Sequence, residues 1–176
     1  SELSTVVDYI KVYSTYGNHA RTIQNVKDSI HSDNMEKIIP WWLRQRLKEN
    51  DNIEIIDSNY KEFIKMNVKG YNIVSFHIHL NIVCVHGDLD NFKDVGMMAN
   101  ALFTKKYGEA INYVVMGDKH HLEEVERYGI ESILVRSLCG SDEYANSHRL
   151  YSSAGQSLLI FNEEDGRVAT YNIKLN

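Results

Sequence analysis

Proline is nearly absent from this sequence, with one in 176 residues, and cysteine occurs only twice. With one proline, no low-complexity tract and no internal repeat, nothing marks a linker, and a single domain over residues 1–176 is expected. Cys84 and Cys139 lie far apart in strand-like contexts, which excludes a disulfide scaffold and reads as reduced core thiols in a cytoplasmic protein. No apolar run is long enough to span a membrane and no signal-peptide pattern opens the chain, so no membrane partner is expected. A G-x-S-x-G elbow is missing as well, which removes a Ser-His-Asp hydrolase as the rival chemistry. Positive charge is not in surplus either: the net charge of -5 argues against a broad basic face for nucleic acid. A bound divalent metal would supply local positive charge to a phosphate group instead.

What is present is an ordinary globular balance of 43% hydrophobic and 24% charged residues, on a chain long enough to bury a core. Leu3, Val6, Val7 and Ile10 are spaced like one face of a short helix, followed by a strand over 11–15. Ile23, Val26, Lys27 and Ile30 continue a helical spacing. Ser32 and Asp33 offer caps before a second helix from Met35, with Ile38, Ile39, Trp42, Leu43 and Leu47 as its apolar stripe and Pro40 near its start. The Trp41-Trp42 pair reads as core and groove packing rather than a ligand platform.

From Ile53 the period becomes two. Strands are expected over 53–56, 63–68, 71–76 and 81–85, with Lys69-Gly70 as a hairpin turn. Residues 94–106 read as a helix burying Val95, Met98, Leu102 and Phe103. Strands follow over 111–116 and 130–138, and a terminal hairpin over 156–161 and 168–173 turns at Asp165-Gly166. The pattern is α/β.

Three strand-like runs end in nitrogen and oxygen donors beside glycine: Val12-Tyr13-Ser14-Thr15-Tyr16 into Gly17-Asn18-His19, Ile82-Val83-Cys84-Val85 into His86-Gly87-Asp88, and the run from Ile111 into Gly117-Asp118-Lys119-His120-His121. Strand tips are where open α/β sheets place ligands. Each run alone is a turn with an exposed histidine. His77 and His79 alternate on one face of a strand end and read as solvated, and His31 and His148 sit in polar loops.

In that order, Gly17-Asn18-His19, Val85-His86-Gly87 and Gly117-Asp118-Lys119-His120 resemble the G-N-H, H-G and G-H-x-H motifs of the calcineurin-like metallophosphoesterase superfamily. The run Ser137-Leu138-Cys139-Gly140-Ser141-Asp142-Glu143-Tyr144-Ala145 resembles its bacterial and phage DNA repair exonuclease-like members. The resemblance implies an incomplete four-layer α-β-β-α metallophosphoesterase sandwich and a phosphoesterase, nuclease-like, with a metal-bridging hydroxide. It implies two divalent ions, Mn²⁺ first, with Mg²⁺, Fe²⁺ or Zn²⁺ as alternatives. By position it makes Asn18, His86 and Asp118 ligands of the second metal and His120 a ligand of the first. His19 takes the catalytic contact with the phosphoryl group, a role suited to an imidazole. Arg21 is close enough in sequence to steady a phosphate.

Two departures qualify it. Asp118 stands where the family has an imidazole, which favours harder ions, and Lys119 is placed to pair with it and compete with metal. The family's opening D-x-H and G-D motifs do not occur before Gly17. The chain therefore resembles the carboxyl-terminal portion of the family, expected to be weakly active or inactive alone and to self-associate through a sheet edge near residues 12–15 and 111–116. The alternative reading is a non-catalytic module of the same fold that acts in assembly or protein interaction.

Overall fold

Val114 and Met116 point to one face of a strand while Tyr113 and Val115 point to the other, and this alternation divides the molecule into layers. The computed structural model describes residues 2–14, 22, 35–56, 63–68, 71–77, 81–86, 91–141, 143–149, 151–162 and 164–175. Within them the elements run β1 (Ile10–Val12), α1 (Ile38–Leu47), β2 (Ile53–Ile55), β3 (Phe63–Val68), β4 (Tyr71–His77), β5 (Asn81–His86), α2 (Val95–Tyr107), β6 (Tyr113–Gly117), β7 (Glu123–Arg127), β8 (Ile130–Leu134), α3 (Glu143–Ser147), β9 (Gly155–Asn162) and β10 (Gly166–Lys174). Single 3-10 turns occupy Leu3–Thr5, Met35–Lys37 and Phe92–Asp94. The chain is mixed α/β.

Six strands form one sheet in the order β3-β4-β5-β6-β8-β7. β5, β6 and β8 are mutually parallel, whereas β3, β4 and β7 join as antiparallel neighbours. The parallel step from β5 to β6 needs a crossover, and α2 supplies it. Val83, Val85, Val114, Met116, Ile130 and Leu134 meet Val95, Ala99 and Phe103 of α2 in the main core. Phe103 is 1% exposed, a burial that contributes about 2 to 3 kcal/mol. Where α2 crosses β8 the approach is close enough to require glycine: a Cβ on Gly96 would lie 2.7 Å from Ser132 Oγ and 3.1 Å from Ile130 Cγ2. α2 stops at Gly108, whose φ of 74° lets its N–H return to the Thr104 carbonyl. The Asn100 side chain then accepts the Ile111 N–H at 2.9 Å and fixes the entry to β6.

The other sheet face carries two small sheets, β1 with β2 in parallel and β9 with β10 antiparallel. Tyr113 meets Phe161 edge to face at 4.9 Å, and its hydroxyl accepts the Arg167 N–H at 3.0 Å. The Arg167 guanidinium reaches Glu131 at 2.8 Å and Glu124 at 3.0 Å. Burial lowers the pKa of Arg167, but its bonds and charge pairing with Glu131 and Glu124 outweigh that and raise it. Tyr13 and Cys84 pack on Ile56 at the end of the β1–β2 pair.

The helix expected over 94–106 and the terminal hairpin form as anticipated, and Val68 pairs with Tyr71. Lys69 and Gly70 themselves lie outside the described residues, as do Ile23 to Ile30, His31 and His79. Several expectations are corrected. Residues 3–10 make only a 3-10 turn before β1, with Leu3, Val6 and Val7 exposed. The expected strand over 130–138 ends at Leu134. Met98 is exposed on α2, and Ala99 takes the core position with Val95 and Phe103. Cys139 is exposed in a bend, whereas Cys84 is a half-buried strand residue whose thiol burial pushes it up to about 12. Trp41 and Trp42 do not pack in a core. The strand over 111–116 is no sheet edge, since β6 has β5 on one side and β8 on the other.

Candidate metal centre

β5 and β6 run parallel with His86 opposite Gly117. Strands in register lie about 4.8 Å apart, so the backbone of His86 stands one strand spacing from the residue that precedes Asp118. β8 ends at the same edge, where the Val135 N–H donates to the Met116 carbonyl at 2.9 Å. Three parallel carboxyl ends thus lie side by side, the position at which loops in such sheets carry chemistry.

The loop leaving β6 has an unusual backbone. Asp118 has φ 143° and His120 φ 61°, both outside the regions that residues with a Cβ prefer. Each conformation costs on the order of 1–3 kcal/mol and persists only where the surroundings enforce it. The Ser152 hydroxyl donates to the His120 carbonyl. The His121 ring sits 3.0 Å from the Lys119 carbonyl and 3.5 Å from the Glu123 carboxylate. Ser152 is in turn bound to Ser141, whose hydroxyl accepts its N–H at 2.8 Å and faces its carbonyl at 3.2 Å. The Gly155 N–H donates to the Ser137 carbonyl at 3.0 Å and closes the segment 137–155 beside this loop. The strain is therefore held by contacts 32 residues away in sequence.

The Asp118 carboxylate is 10% exposed and lies 3.8 Å from the Lys119 ammonium, which is 39% exposed. At this separation in a half-wet site the pair is weak. Lys119 thus pairs with Asp118, as expected of it. The backbones of His86, Asp118 and His120 come to the same carboxyl end of the sheet. Asn18, His19 and Arg21 lie outside the described residues. A carboxylate with imidazoles is a donor set suited to Mn²⁺ or Zn²⁺. Among the described residues, however, no three histidine, cysteine, aspartate or glutamate side chains gather into a group able to hold a metal. Those residues as placed do not make a metal site by themselves.

Ser141 and Ser152 were not legible in the sequence as supports of the loop. Their pairing spans 11 residues of irregular chain, and serine pairs carry no periodic signal. A second concavity of about 220 Å³ is lined by Glu124, Val125, Glu126, Glu131, Ser132 and Arg167. It is smaller than most ligand pockets, and its arginine is committed to Glu124 and Glu131.

No family model matches the chain. It is 25% identical over 171 residues to the SPbeta prophage-derived uncharacterized protein YonJ of Bacillus subtilis (strain 168), covering 97% of this chain and 40% of that protein. The chain spans two fifths of the length of this relative. Among solved structures it is similar to the Thermotoga maritima protein TM1076, with 14% identity, TM-score 0.40, and 81% and 74% of the two chains covered. It is also similar to a double mutant of Vps29 from Entamoeba histolytica, with 14% identity, TM-score 0.35 and coverage of 81% and 78%. For wild-type Vps29 complexed with zinc the identity is 10%, the TM-score 0.34 and the coverage 96% and 98%. Vps29 has the calcineurin-like metallophosphoesterase fold. At these TM-scores the likeness carries no conclusion about activity.

Proposed function

We propose that this chain is a domain of a two-metal phosphoesterase on an α-β-β-α scaffold, acting on phosphodiesters such as those of nucleic acid. The observation that carries the reading is the parallel register of β5 and β6. It brings His86 and the Gly117-Asp118-Lys119-His120 motif to the same carboxyl end of the sheet, where the loop leaving β6 is held in a costly backbone conformation. In this reading His86, Asp118 and Asn18 serve one divalent ion and His120 the other, His19 contacts the phosphoryl group, and Arg21 steadies it. The ions are Mn²⁺ first, then Mg²⁺, Fe²⁺ or Zn²⁺. Bound, they would polarise the phosphoryl oxygens and lower the pKa of attacking water. The prophage source of the Bacillus relative suits a phage enzyme.

A second reading, a non-catalytic module of the same fold used in assembly, is favoured by the Asp118–Lys119 pair, which places a cation where a metal would compete with it. Metal analysis and hydrolysis of bis(p-nitrophenyl) phosphate separate the two. The experiment compares residues 1–176 with a chain extended to the length of the Bacillus relative. The phosphoesterase reading expects two Mn²⁺ and turnover in the longer chain, a turnover that Asp118→Asn and His120→Ala each lower at least tenfold, and weak binding in residues 1–176. Absence of both metal and turnover in the longer chain would select the non-catalytic module.

A further inference from the structure

Trp41 and Trp42 are the chain's only tryptophans, and they are 57% and 52% exposed on α1. The helix meets the fold along Pro40, Leu43 and Leu47, which are half-buried and spaced as one narrow stripe. At about 100° per residue, both indoles fall on the opposite side, flanking the exposed Ile38 and Gln45. Arg46 follows one turn after Trp42 with its guanidinium 5.7 Å from the ring centroid. Lys37, Arg44 and Lys48 flank the Trp41 side. Residues 35–49 hold four cations against two carboxylates in a chain whose net charge is -5. Two large aromatic rings turned to solvent within a local cationic surface mark an interaction site rather than scattered surface apolarity.

We propose that α1 is a docking platform for single-stranded nucleic acid. Its indoles stack on unpaired bases, while Arg46, with Lys37, Arg44 and Lys48, meets the phosphates. Base–aromatic stacking contributes about 1–3 kcal/mol per base and tolerates any sequence, since every base has a π-face. The charge is complementary to a polyanion, whereas the rest of the chain is acidic. Duplex hides its base faces inside the stack, so it offers the indoles nothing comparable. A lipid surface fits less well, because the exposed apolar run of Met35, Ile38, Ile39, Trp41 and Trp42 covers only about two turns before Arg44, Gln45, Arg46 and Glu49 interrupt it, too short a stripe to lie along a bilayer. The proposal does not depend on hydrolysis or on metal.

Because both tryptophans lie on α1, fluorescence of residues 1–176 excited at the red edge of the indole band, where the eleven tyrosines do not absorb, reports on this helix alone. Titration with an oligothymidylate of about 15 nucleotides, in EDTA, is expected to quench that fluorescence saturably. Anisotropy of a labelled oligonucleotide should follow the same isotherm, weakening as salt rises. Trp41→Ala with Trp42→Ala should lower affinity at least tenfold, and Trp42→Phe should retain most of it. Arg46→Gln should weaken binding about threefold and reduce the salt slope by roughly 0.7. Absence of quenching, equal affinity for duplex, or tighter binding to anionic phosphatidylserine vesicles than to the oligonucleotide would each overturn the proposal. So would ligand-free burial of the indoles that grows with protein concentration, which would assign the face to a second copy. In the longer chain with Mn²⁺, turnover of a small phosphodiester without oligonucleotide binding rejects the platform and keeps the phosphoesterase reading; oligonucleotide binding without turnover there does the reverse.

Discussion

The Lys119 ammonium stands 3.8 Å from the Asp118 carboxylate at the tip of β6. If Asp118 is a metal ligand, this neighbour opposes the metal. Lys119→Gln is expected to raise Mn²⁺ affinity about two- to fivefold, the range of a partly exposed pair. Asp118→Asn should lower it at least tenfold. Isothermal titration checks both, and an affinity that neither substitution moves would place Asp118 outside the coordination sphere.

His120 is held at φ 61°, where glycine has no steric cost. His120→Gly should therefore stabilise the fold by about 1 kcal/mol while weakening metal binding. Urea midpoints measure the first effect. A lower midpoint would mean that the ring packs structurally and that the strain is not kept for function.

The two thiols should behave differently. Cys139 is exposed and should react with a disulfide reagent in the first, fast phase, which Cys139→Ser removes; Cys84 should react only as the protein opens. Alkaline pH provides a second test. Burial raises Cys84 from 9.0 to about 12, so the fold favours its neutral form. That contribution is complete below pH 9 and is lost as pH rises towards 12, because the unfolded chain sheds its proton first. Stability should fall by about 1.4 kcal/mol per pH unit across that window. Cys84→Ala should remove this contribution to the alkaline slope, leaving that of tyrosines and lysines, without changing the response below it.

Gly166 has φ 75°, and a Cβ there would collide with the Tyr113 hydroxyl. Gly166→Ala should cost about 2 to 4 kcal/mol, from the backbone conformation and the clash together. Tyr113→Phe alone should cost about 1 kcal/mol through the lost bond to the Arg167 N–H. Combined, the two should be less harmful than their sum, since the phenylalanine removes the colliding oxygen. Strict additivity in chemical denaturation would show that the hairpin shifts away from β6 instead.

At the candidate site, the expected donors were legible and the contacts that hold their loop were not. His86 and Asp118 each follow a β-branched run and stand beside a glycine, a local signal. The strand β7 was missed because Glu123, Glu124, Glu126 and Arg127 surround one valine. Its pairing with β8 makes it a strand, and its charges suit a sheet edge. Trp41 and Trp42 were misread because large aromatic residues usually pack inside. Exposure depends on which side of α1 meets the fold, and the helix uses the Pro40, Leu43 and Leu47 stripe.

By itself the sequence determined the elements whose signal is local: the strands of β-branched residues, α2, the turn at Gly166, and the donors that follow the strand-like runs. These follow from backbone sterics and side-chain period, which act between near neighbours. Tertiary structure alone decided that β6 lies inside the sheet, between β5 and β8. The same holds for Ser152, which reaches back to constrain His120, and for the indoles of α1, which face solvent. Each of these depends on pairing between distant segments, whose closure is set by burial of apolar faces and completion of hydrogen bonds across the whole fold.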